Sequence, residues 1–235
     1  MTITTDVLPR ETQPVDLLAE QQRTLATPRR QAGLVARSLF LTMDLLYGRR
    51  RTLPKFLVLE LVARVPYQTW EHAAYQAITR HARDTLRSRE IYRRVVLARD
   101  QQDNEQWHLF ILEDMLEHRR VELSWFRYRL IPQVIAFVYY QVSWLMSVTR
   151  PEWSHRLNAD FEDHAEHEYM AFVAEHPELE GETCSCSVAD DYGCPESFAD
   201  VLRQIGIDER HHRDESLQEL ERLASERAAR STVPR

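Results

Sequence analysis

Glycine is absent from the whole stretch between Arg49 and Glu180, the five in the chain standing at 33, 48, 181, 193 and 206. A segment of that length without the residue best suited to tight turns has to be built from long elements. Its apolar residues recur at three- and four-residue spacing, with little alternation, so those elements are helices and not strands. Pro54, Pro66, Pro132 and Pro151 punctuate the run. The pattern predicts helices over about 30–47, 53–82, 87–119, 122–149, 152–176 and 196–228. Residues 29–230 are expected to form one domain, preceded by a flexible tail over 1–28. The opening MTITTDVLPRETQPVDLLAEQQ has the pattern of neither a secretory signal nor a transit peptide. The segment EGETCSCSVADDYGCPES is the one long loop, and its Cys184, Cys186 and Cys194 have neither zinc spacing nor a cysteine elsewhere to pair with. Exposed thiols in a reducing compartment are the expectation.

One position is at odds with its neighbours. In FLVLELVARV, residues 56–65, Glu60 sits among apolar side chains on every face a helix could present. A lone carboxylate there costs several kcal/mol, roughly, unless a positive partner or a proton satisfies it. Two distant stretches offer a way to supply that partner. DNEQWHLFIL contains Glu105 and His108, and IDERHHRDES contains Glu209 and His212. Side chains at i and i+3 project from one helical face, so each pair can offer an oxygen and a nitrogen to one metal. A single Glu-x-x-His pair is weak evidence, and the pair Glu152 and His155 after Pro151 is better read as a helix start, with the acid facing the dipole.

The company of the first two pairs makes them specific. Glu60, Glu105 with His108, Glu162 in NADFEDHAEHEYMAF, and Glu209 with His212 follow the ligand order of di-iron carboxylate bundles. Four carboxylates balance two divalent ions, and oxygen with imidazole suits iron or manganese. Each of the six residues taken singly is better read as a surface acid or a core histidine; all six in this order are not. The fold class expected is therefore all-α: a ferritin-like four-helix bundle with a di-iron centre of two Fe ions, plus two additional helices forming a membrane-facing side. Tyr169 and His155, two turns either side of Glu162, and Asn104 and Asp208, each just before a ligand glutamate, are the candidate partners around the metals.

The run LIPQVIAFVYYQVSWLMSVT between Arg129 and Arg150 is uncharged and long enough to span a bilayer, which takes about 20 residues. Its proline, glutamines and hydroxyls favour a helix buried in the bundle over a spanning one. A third reading, a helix lying in the membrane surface, gains from residues 34–47, whose Leu34, Leu39, Phe40, Met43 and Leu46 are bracketed by arginines. The formal net charge of −7, with Lys55 the only lysine, argues against a nucleic-acid partner.

The motifs VLELVARVPY, NEQWHL, SVTRPEWSHRLNADFEDHAEHEYMAF and IGIDERHH, in this order from about Ala36 to Glu215, resemble the alternative oxidase family. They look closest to its plastid terminal oxidase branch. The resemblance implies a quinol:oxygen oxidoreductase bound to one membrane leaflet, reducing dioxygen to water without pumping protons. It puts the six residues above on the metals, makes Tyr169 catalytic, and places the quinol pocket on Asp44, Lys55, Leu59, Ala165, Glu168 and Tyr169. It further implies a homodimer. The short cysteine loop and the missing targeting extension make a bacterial cytoplasmic membrane the expected location. Two other functions use similar ligands: a di-iron oxygenase or desaturase acting on an apolar molecule, and a ferritin-like iron binder.

Overall fold

The computed structural model describes residues 15–183, 192 and 196–231, so Cys184, Cys186 and Cys194 lie outside the described residues. The fold is an all-α bundle. Its elements are α1 (Leu17–Ala26), α2 (Leu34–Tyr47), α3 (Leu53–Ala63), α4 (Val65–Arg80), α5 (Thr85–His118), α6 (Ile131–Thr149), α7 (Pro151–Glu175) and α8 (Phe198–Ser231). The described residues contain no strand, only an isolated bridge between Thr183 and Ser197.

Local chemistry accounts for the helix ends. Thr52 caps α3 by accepting from the Lys55 amide at 3.3 Å, with Pro54 in the first turn. Asp84 caps α5 by accepting from Arg87 N at 3.1 Å. Gly48 ends α2 with φ at +87°, a conformation that L side chains rarely adopt. The helix expected over 53–82 is two helices, because Pro66 cannot donate to the Val62 carbonyl and its ring crowds that turn. The break falls at Arg64.

The helices that carry the site pack as α7 on α8 and α3 on α5, and α4 packs on α5 and α6. Every residue from Lys55 to Ala63 is buried, so α3 is the central helix and Glu60 lies inside the core with Leu57, Val58 and Leu61. On α8, Gly206 lets the backbone approach α7 closely, since a Cβ there would lie 2.9 Å from Met170 Cε.

The tail expected over 1–28 is partly a helix. Asp16 caps α1, Gln21 Nε2 donates to the Met170 carbonyl at 2.9 Å, and Thr24 Oγ1 donates to Glu166 at 2.6 Å. Those contacts come from α7, far away in sequence. The folded unit thus begins before residue 29.

A second correction concerns the uncharged run. A π-helical turn, Phe126–Leu130, leads into α6, and only 17% of the most apolar window across the two is buried. Pro132, Tyr139 and Ser143 face inward, whereas Val134, Phe137, Val138, Val142 and Leu145 face out. The end of α2 meets the start of this segment, Tyr47 donating to the Arg127 carbonyl at 2.9 Å. Leu34, Leu41 and Leu45 of α2 are exposed as well. The expectation of a helix buried within the bundle does not hold. Its outward side is apolar, as an interfacial helix requires.

Candidate metal centre

Four helices bring the six candidate ligands together. Glu60 comes from α3, Glu105 and His108 from α5, Glu162 from α7, and Glu209 and His212 from α8. They form two overlapping groups, Glu60, Glu105, His108 and Glu209 in one and Glu105, Glu162, Glu209 and His212 in the other. Within each group the ligand atoms all lie within 4.8 Å of one another. Glu105 and Glu209 belong to both, as carboxylates bridging two ions would. The i, i+3 spacing does what helical geometry predicts: His108 Nδ1 lies 3.8 Å from Glu105, and His212 Nδ1 lies 3.8 Å from Glu209.

This cluster is fully buried and consists almost wholly of acceptors. His212 Nδ1 faces Glu105 Oε1 at 2.9 Å and His108 Nδ1 faces Glu209 Oε1 at 3.2 Å, while Oε2 of Glu105, of Glu209 and of Glu162 is buried without a hydrogen-bond partner among the described residues. Such a deficit costs about 1–3 kcal/mol per group, more for charged ones. Burial pushes Glu162 well above the ordinary carboxylate range, and the neighbouring Glu209 and Glu105 push it further. Burial works to lower His212, but Glu105 and Glu209 outweigh it and raise that imidazole to about 10. For His108 burial again lowers, while Tyr192, Asp208, Glu105 and Glu209 together lift it well above its usual value. Crowding and dryness favour a proton on Glu162 unless a compact positive charge replaces it. Two divalent cations would supply that charge and satisfy the unpartnered oxygens, so the residues present fit a dinuclear metal centre.

The surroundings hold the ligands in place. Asp208 Oδ2 lies 3.3 Å from His108 Nε2 and turns Nδ1 toward the carboxylates. Asp208 in turn accepts from Tyr192 at 2.5 Å, from Gln204 at 2.9 Å and from Asn104 at 3.4 Å. Burial alone would raise Asp208, but His108 and Tyr192 bring it down to about 2. Tyr169 is fully buried, stacks on Phe56 with ring centroids 4.4 Å apart, and donates its hydroxyl to Glu60 Oε1.

His155 is not brought to the cluster. It packs on Trp70, ring centroids 4.2 Å apart, beside a cavity of about 550 Å³ at the far end of the bundle. Burial lowers it to about 4. Seven residues along α7 carry it about 10 Å from Glu162, and unlike Tyr169, equally far the other way, it meets Trp70 and no candidate ligand.

The residues expected at a quinol pocket gather at the other end. Lys55 Nζ contacts Asp44 at 2.7 Å, and Glu168 contacts Arg29 at 2.7 Å and Arg51 at 3.2 Å. Leu59 and Ala165 are buried. Burial alone would raise Glu168, but His164, Arg29 and Arg51 hold it below the usual carboxylate value.

Sequence reasoning passed over Tyr67, Asn158 and Tyr192. Tyr67 donates to Glu162 Oε1 at 2.7 Å and receives a hydrogen bond from Asn158 at 3.2 Å. Asn158 was legible, being one turn before Glu162 on the same face. Tyr192 comes from the loop, where no periodicity points anywhere.

A model of the alternative oxidase family matches residues 15–219. A search of curated proteins found no match to the chain.

Proposed function

The chain belongs to the alternative oxidase family, the di-iron quinol:oxygen oxidoreductases of membranes, and from that premise we propose that it oxidises a ubiquinol- or plastoquinol-type quinol and reduces dioxygen to water without pumping protons. The observation that carries the reading is the pair of ligand groups sharing Glu105 and Glu209. Glu60 and His108 would hold one ion, Glu162 and His212 the other, with Glu105 and Glu209 spanning both. Two irons, when bound, supply the redox chemistry of dioxygen reduction.

The chain's own groups prepare that chemistry. Complete burial of Glu60, Glu105, His108, Glu162 and Glu209 keeps bulk water out and strengthens every electrostatic interaction inside. Asp44 and Glu168 offer carboxylate oxygens to the two hydroxyl protons of a quinol. Lys55 pairs with Asp44, Arg29 and Arg51 help to hold Glu168 ionised, and Leu59 and Ala165 give the ring an apolar wall. Tyr169 directly follows Glu168, and its hydroxyl proton rests on Glu60. That buried hydroxyl is the group we assign to passing a proton toward Glu60. The outward leucines of α2 and the apolar side of α6 support seating on one leaflet, where quinol is dissolved. We place the protein on a bacterial cytoplasmic membrane.

The test is oxygen uptake by membranes carrying the protein, with reduced quinol supplied and cyanide present to silence haem oxidases. Cyanide-resistant uptake is expected, and its absence from a fully metallated protein would sink the proposal. Tyr169→Phe keeps the ring on Phe56 and should keep both ions while quinol-dependent uptake collapses. Near-normal turnover in that variant would remove Tyr169 from the mechanism.

A further inference from the structure

Glu162 differs from Glu105 and Glu209 in what engages its first oxygen: theirs face the imidazoles of His212 and His108, at 2.9 Å and 3.2 Å, and that of Glu162 meets a phenol. Oε1 accepts from Tyr67 at 2.7 Å, while Oε2 is buried without a hydrogen-bond partner among the described residues. Behind Tyr67 stands Asn158, whose Nδ2 donates to the Tyr67 hydroxyl at 3.2 Å and to Ser216 Oγ at 3.0 Å. Tyr67, Asn158 and Glu162 are fully buried and Ser216 nearly so. No water competes for these bonds.

We infer that Asn158 and Tyr67 are positioning residues that reserve one oxygen of Glu162 and present the other to a single metal ion. The direction of each proton follows from the chain of contacts. An ionised Glu162 needs a donor at Oε1, and Tyr67 has one proton to give. If the Asn158 amide were turned over, its Oδ1 would draw that proton away. Two lone-pair-bearing oxygens would then face each other 2.7 Å apart across Glu162 and Tyr67. With Nδ2 toward Tyr67, the phenol can point only at Glu162. Ser216 accepts the second amide hydrogen and so keeps the amide from turning. The arrangement comes at the expense of Asn158 Oδ1, which is buried without a hydrogen-bond partner among the described residues. A residue there for packing alone would have no use for that loss.

The consequence is an asymmetry between the two metal positions. The ion beside Glu162 and His212 depends on the Tyr67–Asn158–Ser216 chain, and the ion beside Glu60 and His108 does not. The inference rests on the ligand assignment proposed above, and the experiment separates the two. Purified full-length protein is titrated with Mn(II) against a competing chelator. Wild type should bind two ions; failure to do so would overturn the ligand assignment itself. Tyr67→Phe should leave one ion at wild-type affinity and weaken the other about 10- to 100-fold, the usual effect of removing a partner behind a ligand. Asn158→Leu should weaken the same ion. Because the two residues act in series, the double variant should bind no worse than Tyr67→Phe within about threefold. Ser216→Ala, a milder change, should move affinity in the same direction if Asn158→Leu does not fold. Tyr139 is the control: its buried hydroxyl has no hydrogen-bond partner among the described residues, so Tyr139→Phe should leave both affinities unchanged. Wild-type affinities in Tyr67→Phe, or effects that multiply in the double variant, would overturn the inference.

Discussion

Two regions of α7 bring acids and imidazoles within ligand distance of one another, and their surroundings differ. Around Glu162, the cluster with Glu60, Glu105, His108, Glu209 and His212 forms no ion pair with an arginine or lysine among the described residues. Starting at the next residue of α7, Asp163, Glu166 and His167 lie as close together and are also buried. There Arg213 contacts both Asp163, at 3.3 Å, and Glu166, at 2.5 Å, and Arg210 contacts Glu166 at 2.8 Å. The Arg30 amide donates to Asp163 at 2.8 Å. His167 faces backbone carbonyls with both ring nitrogens, at 2.7 Å and 3.1 Å, so each nitrogen already has a backbone neighbour. Proximity of ligand atoms therefore does not make a metal site. The distinguishing property is whether the chain has already supplied the positive charge. The second group is a structural ion-pair network tying α1 and α8 to α7.

The comparison is broken most directly at Glu60. Glu60→Ala removes a charged ligand from the first group, and the protein should stay helical while bound metal falls from two ions to one or fewer, read by metal analysis of the purified chain. Two ions retained would sink the assignment. The converse change is Arg213→Ala, which strands Asp163 and Glu166 with less compensation in a buried place. It should cost about 3 kcal/mol in chemical denaturation and leave metal content unchanged. Loss of metal without loss of stability would mean that the two groups are not distinct.

Histidine titration sharpens the contrast. In the ligand cluster the acids raise His212 to about 10, whereas burial lowers His155, outside it, to about 4. A histidine lowered in the fold contributes stability that is fully present above its unfolded value of about 6.5 and is lost as pH falls toward 4. His155→Gln should therefore flatten the stability profile between pH 6.5 and 4, measured by urea midpoints, with metal content unaltered. An unchanged profile would contradict burial as the cause. The smallest effect is expected at Glu152, the acid of the decoy Glu-x-x-His pair, which meets Arg227 at 2.5 Å on the surface. Glu152→Ala should shift stability by less than about 1 kcal/mol and leave both ions bound.

The helices and the ligand order are local properties, and both were legible in the residues. Absence of glycine and apolar spacing over the long central run made helices the economical answer. A carboxylate amid LVLELV cannot be neutral in its consequences, so Glu60 announced a partner before any fold was known. The placement of Glu105 with His108 and Glu209 with His212 followed from helical pitch alone. Other features depended on contacts between distant segments. Residues 17–26 have little reason to be ordered except that α7 and α8 offer Met170, Glu166 and Arg210 to receive them. The apolar side of α6 could equally have been core; only the packing left it open. Asp163, Glu166 and His167 have a ligand-like pattern in sequence, and it took Arg213, about 50 residues away along the chain, to make them a structural network. Tyr192 reached Asp208 from a loop without periodicity. Pitch and burial cost act within a few residues and can be read along a chain, whereas the charge balance around a buried group is set by whichever segments the fold brings beside it.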